Sequence, residues 1–224
     1  MKTGLQALVS TVVGFVMFGV LLFLPAGTFH YWQAWVFVAV FAAVSVAPTV
    51  YWAWKRPDVV RRRMNAGPTK ETRPAQKLAS TGIFLTFAAA LAFSAFDHRL
   101  GWSDVPLAAV VLGNVLATIG LGISILVVQQ NSYAAANITV ESEQSVTSTG
   151  LYGVVRHPMY LGAMITIAGI PLALGSYWGL VLLVPALLVF AFRIIDEEKM
   201  LRQELNGYSE YAENVHSRLV PLVW

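Results

Sequence analysis

The chain has no cysteine. That excludes structural disulfides, thiolate metal centres and a cysteine nucleophile. Charge is scarce as well. Only 12% of the 224 residues are Asp, Glu, Lys or Arg, where a soluble domain carries roughly a quarter. The four histidines and the few acids show no metal-ligand spacing, so no metal is expected. No glycine-rich turn follows a strand-like run, which excludes the fingerprint of a soluble nucleotide-binding fold. The net charge of +3 does not signal nucleic acid, because the basic residues gather in one segment between apolar runs, where they act as a topology signal.

Apolar sequence is what the chain has in abundance: 57% of its residues are hydrophobic and its mean hydropathy is +0.63. A soluble domain of this size cannot hide so much apolar surface, so the bilayer is its natural solvent. Four long apolar runs, at residues 5–24, 31–54, 78–96 and 105–128, approach or exceed the roughly 20 residues that cross a hydrocarbon core as a helix. Helices also satisfy their own backbone in lipid. Lys2 precedes the first run. That run is long for a signal-peptide core and Pro25-Ala26-Gly27 is a poor cleavage site, so the segment is expected to persist as a helix.

Residues 55–77 hold Lys55, Arg56, Arg61, Arg62, Arg63, Lys70, Arg73 and Lys77 against only Asp58 and Glu71. The positive-inside rule makes this loop cytoplasmic, together with both termini and the polar loop 129–158. Two shorter runs follow, 160–174 and 177–192, each roughly 22–24 Å long as helix, with Gly175-Ser176 as the turn between them. They predict a helical hairpin over about 159–193 with arms kinked at Pro171 and Pro185 and both ends on the cytoplasmic face. The charged tail 196–216 predicts a cytoplasmic amphipathic helix lying against the membrane. The expected fold is therefore an all-α integral membrane protein of one domain. Residues 1–129 supply four long transmembrane helices, and residues 130–224 the catalytic region. The glycines of Gly120-Leu121-Gly122, inside an apolar run, point to close helix packing.

Ionisable groups inside apolar sequence are informative because they are costly there. Arg156, His157 and Tyr160 precede the hairpin; Arg193, Glu197 and Glu198 follow it. A hairpin brings the two sets together as a polar pocket at the membrane boundary. Arg193 and Glu197, four residues apart, share a helix face. Pro158 suits a first helical turn, whose N-terminus favours an anion. Taken singly, each feature has a plainer account: snorkelling arginines, interfacial tyrosines, an acidic helix start. That account does not require the two sets to flank one hairpin.

The pattern Arg156-His157-Pro158-x-Tyr160-x-Gly162, then Glu197-Glu198-x-x-Leu201, Tyr208-x-x-Tyr211 and Arg218-x-x-Pro221, resembles the isoprenylcysteine carboxyl methyltransferases, which group with membrane phospholipid methyltransferases. The resemblance covers roughly residues 137–221. It implies S-adenosylmethionine as cofactor and methyl transfer as the reaction. It places cofactor contacts at Gln144, Ser145, Val146, Thr147, Tyr152, His157, Pro158, Met159, Tyr160, Glu197 and Glu198, with Asn137 a looser match. Arg193 falls where the family holds its substrate. The partners then expected are the bilayer, of a bacterial inner membrane, and a lipophilic methyl acceptor: a prenylcysteine-like carboxylate, or a lipid amine, thiol or hydroxyl. Two competing readings are an NADPH-dependent sterol or polyprenyl reductase and a non-catalytic transporter or assembly factor; cofactor binding separates them.

Overall fold

The structure is a computed structural model that describes residues 2–64, 67–131, 134 and 145–224; of residues 2–8 and 64 it describes the backbone only. The described residues form eight α-helices and no strand: α1 (Lys2–Ala26), α2 (Trp32–Lys55), α3 (Pro57–Met64), α4 (Pro74–Leu100), α5 (Leu107–Gln130), α6 (Pro158–Ala173), α7 (Leu183–Glu204) and α8 (Tyr208–Asn214). Short 3₁₀ turns occupy Gly150–Gly153 and Trp178–Leu182. Among the described residues, five helical stretches are long and apolar enough to cross a membrane, and the fifth is Trp178–Glu204.

The helices alternate in direction, so the bundle has two distinct ends. One carries the basic segment between α2 and α4, the start of α6 and the close of α7. The other carries the α1–α2, α4–α5 and α6–α7 connections. At that second end the Tyr31 hydroxyl donates to the Leu174 carbonyl over 2.6 Å. Asp97 there accepts from Ser103 Oγ at 2.7 Å and from Ser176 Oγ. The hairpin turn thus reaches the level of the other two connections. The shared core lies between these ends, where Leu22, Ala26, Phe37, Leu91, Ile170 and Leu174 are buried together. Val12, Val16 and Val20 on α1 stay exposed. In lipid this costs nothing, because bilayer tails are as apolar as the side chains.

α5 and α6 run antiparallel at backbone contact. A Cβ added at Gly113 would strike the backbone around Leu172 and Ala173; one added at Gly120 would strike Gly162 and Thr166. Gly162 and Gly169 reciprocate toward Gly120 and Gly113. Small residues seven apart on both helices permit this approach, the usual solution where lipid removes the hydrophobic drive. The close packing expected at Gly120 is present, whereas Gly122 meets nothing within 4 Å.

Three expectations are corrected. The second hairpin arm does not end near residue 192: α7 continues to Glu204. The charges of Asp196-Glu197-Glu198 suggested a boundary, but they turn inward to partners, and Ile194 and Met200 keep the buried face apolar, so the helix has no reason to stop. Consequently the tail 196–216 is not one amphipathic helix. Its first half belongs to α7, Gly207 turns the chain at φ +84°, and only Tyr208–Asn214 forms a separate helix. Pro185 stands third in α7, where its missing N–H has no intrahelical partner to lose, so it starts that helix instead of kinking it. The basic segment also carries structure of its own. α3 buries Val59 and Val60 against Trp52 and Val128 and leaves Arg61 and Arg63 exposed.

Candidate active site at the basic end of the bundle

Pro158 opens α6, and the residues before it are fixed by the C-terminal tail. Arg156 N donates to the Ser217 carbonyl and His157 N to the Arg218 carbonyl, each over 2.9 Å. This short backbone pairing presents Arg156 and His157 to the last turns of α7. There Glu198 is almost fully buried between two guanidiniums and an imidazole. Its Oε1 accepts from Arg156 Nε at 2.7 Å and lies 3.2 Å from His157 Nε2; its Oε2 accepts from Arg218 Nε at 3.0 Å. Arg156 Nη1 also caps the end of α8 by donating to the carbonyls of Ala212, Val215 and His216. A carboxylate so enclosed needs such partners, because an unpaired buried charge is costly.

Glu197 is placed differently. Its Oε2 accepts from the Tyr160 hydroxyl at 2.7 Å and lies 3.7 Å from His157 Nδ1. No described residue donates to its Oε1, and the side chain is 18% exposed. Tyr160 in turn accepts from Arg193 Nε at 2.9 Å, and its ring lies parallel to His157 with centroids 5.6 Å apart. Arg193 Nη2 donates to Glu71 Oε1 at 3.0 Å. Arg73 and Gln76 bind Asp196 one turn further on. Four guanidiniums (Arg73, Arg156, Arg193, Arg218) therefore pair with three carboxylates (Glu71, Asp196, Glu198) at this end, and Glu197 sits beside them on Tyr160. Among the described residues, no group of His, Asp and Glu has an arrangement that would hold a metal ion.

An aromatic wall adjoins the carboxylates. Tyr208 and Tyr211 are buried together with Leu205 and Ala212, and Val146, Tyr152 and Leu201 pack on them. The Tyr211 hydroxyl donates to the Tyr152 carbonyl at 2.7 Å. Burial pushes the Tyr152 phenol up to about 12, offset by a hydrogen bond from Asn131 and reinforced by the Glu197 charge. Burial, then the charges of Glu198 and Glu197, push Tyr208 above its ordinary value as well. Both phenols are therefore protonated at neutral pH.

The sequence-predicted residues divide into three groups. The structure brings together Arg156, His157, Tyr160, Arg193, Glu197 and Glu198, the juxtaposition expected of the hairpin. Tyr152 and Val146 stand at the aromatic wall with Thr147 half-buried nearby, while Ser145 is exposed. Met159 faces away, against the Trp52–Val59–Val60–Val128 cluster, and Pro158 is buried as the first residue of α6. Gln144 and Asn137 lie outside the described residues. The sequence reading did not assign Glu71, Arg73 or Gln76 to the site. Their signal was faint: an acid among basic neighbours, and a polar residue in the first turn of an apolar helix.

The residues present fit an S-adenosylmethionine molecule in two respects. Glu197 offers an open carboxylate oxygen suited to an ammonium or to ribose hydroxyls. The Tyr208 hydroxyl is buried and has no hydrogen-bond partner among the described residues, an orphan that a polar ligand would satisfy. Glu198 fits less well, since both its oxygens are already engaged by Arg156, His157 and Arg218.

A helical bundle with five described stretches able to cross a bilayer, and a dense ionic cluster at one end, defines the class as a polytopic membrane protein. The phospholipid methyltransferase family model matches residues 108–207, from the first turn of α5 to the glycine before α8, so this region is similar to a family of membrane methyltransferases. No curated protein matches the chain.

Proposed function

We propose that the protein is an S-adenosylmethionine-dependent methyltransferase that modifies a lipophilic acceptor at the cytoplasmic face of its membrane, in the manner of the isoprenylcysteine carboxyl methyltransferases. The observation that carries this reading is the meeting of residues 156–160 with residues 193–198 in one buried ionic cluster. The excess of basic residues in the segment 55–77 supports the cytoplasmic orientation of that end, and of both termini.

S-adenosylmethionine, when bound, supplies a methyl group already activated by its positive sulfur. Glu197 Oε1 holds an ammonium or ribose hydroxyl, and the Tyr208 hydroxyl donates to a second polar group. Tyr152 and the apolar residues beside it keep water away from the site. Tyr160 keeps Glu197 in place, since its one proton goes to Oε2 while Arg193 occupies its lone pair. Glu198 ties the tail to α7 and so closes the site from below. With the phenols protonated, none of Tyr152, Tyr208 or Tyr211 serves as a base at neutral pH. An anionic acceptor needs no base. Alignment alone supplies much of the acceleration in such transfers, on the order of 7–11 kcal/mol in well-oriented reactions.

The acceptor is lipophilic because the outer face of α7 is apolar at the level of the site. Phe192 and Ile195 are exposed beside Arg193 and Asp196, so an acceptor anchored in the bilayer meets the cluster sideways. Calorimetric titration of the purified protein with S-adenosylmethionine, and with NADPH as the competing cofactor, tests the reading. Methyl transfer is then assayed on prenylcysteine, phospholipid amine, quinone-like and thiol acceptors. Binding of the methyl donor and transfer to a lipid-soluble acceptor are expected. Binding of NADPH alone, or activity confined to freely soluble polar acceptors, overturns it.

A further inference from the structure

Glu71 is one of two acids in the basic segment, and it ignores its basic neighbours. Its side chain is 1% exposed and its carboxylate reaches across to Arg193 on α7, also buried. The segment that carries it is gripped from both sides of the same α7 turn. Arg73 Nη2 lies 3.1 Å from Asp196 Oδ1; Gln76 Nε2 donates to Asp196 Oδ2 and, at 3.4 Å, to the Arg193 carbonyl. Glu71 is therefore delivered to Arg193 by a segment anchored on the same turn of α7. From Arg193 the contacts continue inward, Nε to the Tyr160 hydroxyl and that hydroxyl to Glu197. Glu71 touches neither Tyr160 nor Glu197.

A guanidinium is a rigid planar fork, so an anchor on one edge dictates where the other edge points. An Arg near a membrane surface otherwise extends toward water. The Tyr160 hydroxyl has a single proton, and it goes to Glu197 because Arg193 Nε already occupies a lone pair. We propose that Glu71 is a positioning residue of the site: by clamping Arg193 Nη2 it aims Nε at Tyr160, and so sets the Tyr160 hydroxyl to hold Glu197 with one carboxylate oxygen open to ligand. The part of this inference that concerns ligand rests on the proposed function; the orientation of Tyr160 does not.

The test uses the full-length protein in detergent or nanodiscs with 3-fluorotyrosine at position 160, whose ¹⁹F resonance reports the environment of that ring. Glu71→Ala shifts the resonance and weakens S-adenosylmethionine binding about tenfold, the scale of a charge-assisted hydrogen bond. Glu71→Asp recovers most of both effects, as a bulk structural role would not. Glu71→Gln, which keeps the shape, shifts the resonance in the same direction by less and serves if the alanine variant does not fold. Asp97→Asn at the far end of the bundle leaves the resonance in place. An unmoved resonance in Glu71→Ala and Glu71→Gln, or failure of Glu71→Asp to restore it, overturns the proposal. So does unaltered donor affinity in the variants of a protein whose wild type binds the donor. If the wild type binds no S-adenosylmethionine, the proposed function falls and the resonance alone decides the role of Glu71.

Discussion

Each end of the bundle buries a carboxylate, and the two are treated in opposite ways. Glu198, at the basic end, receives two guanidiniums and an imidazole. Asp97, at the far end, receives the hydroxyls of Ser103 and Ser176, and its Oδ1 has no hydrogen-bond partner among the described residues. Ser176 Oγ in turn accepts from Gly179 N, and Ser103 Oγ from Tyr177 N. Asp97 thus knots two connections together with neutral groups. Glu198 organises an ionic cluster with a second, more open carboxylate beside it. Turns need only a fixed shape, whereas a charged ligand needs charges already oriented to meet it.

The comparison is tested most severely at Glu198. Glu198→Ala leaves Arg156 and Arg218 without their counter-ion and His157 without its partner, and breaking a buried pair in this way costs about 3–5 kcal/mol. Denaturant unfolding in detergent is expected to show that loss; a change within error would mean that the cluster is not the anchor of the tail. Glu197→Gln separates binding from stability. The amide keeps an acceptor for the Tyr160 hydroxyl, so unfolding changes by about 1 kcal/mol, while S-adenosylmethionine affinity drops about tenfold or more. An equal effect on both would erase the distinction between the two neighbouring glutamates.

Asp97→Asn probes the other end. The serines lose a charged acceptor and keep a neutral one, for about 1 kcal/mol of stability, and donor affinity is unchanged. A weakened affinity would mean that the two ends are not independent. The smallest effect is alkaline. Tyr152, Tyr208 and Tyr211 have phenols raised above their ordinary values, chiefly by burial. The folded state therefore holds protons that the unfolded chain releases. Their contribution is intact below the ordinary phenol value of about 10, and it is lost as pH rises through that value toward the Tyr152 value of about 12. Melting temperature followed against pH is expected to fall in that window. Tyr152→Phe should flatten the fall, and a curve unchanged by it would place the titrating group elsewhere.

Much of this architecture is legible in the residue order, for reasons that are local. The runs that become α1, α2, α4 and α5 are recognisable because a helix must be about 20 apolar residues long to cross lipid. Arg156–Tyr160 and Arg193–Glu198 could be matched because a single turn at Gly175-Ser176 joins their helices. Where local cues misled, a distant partner was responsible. Asp196-Glu197-Glu198 looked like the solvated start of a new helix, yet Arg73, Tyr160 and Arg156 hold them inside α7. Glu71 looked like a stray acid in a basic loop, yet its partner lies 122 positions away.

By itself the sequence determined that the chain forms helices apolar enough to cross a membrane, which end of the bundle is basic, and that one hairpin joins the two sets of ionisable residues; hydropathy, charge placement and turn chemistry act over short stretches and need no fold to be read. Only the tertiary structure decided which of two adjacent glutamates is enclosed and which is open. It also decided that a segment between α2 and α4 joins the ionic cluster. Those outcomes depend on which charges meet across the bundle, and in a low-dielectric interior a charge is placed by its partner and not by its neighbours in the chain.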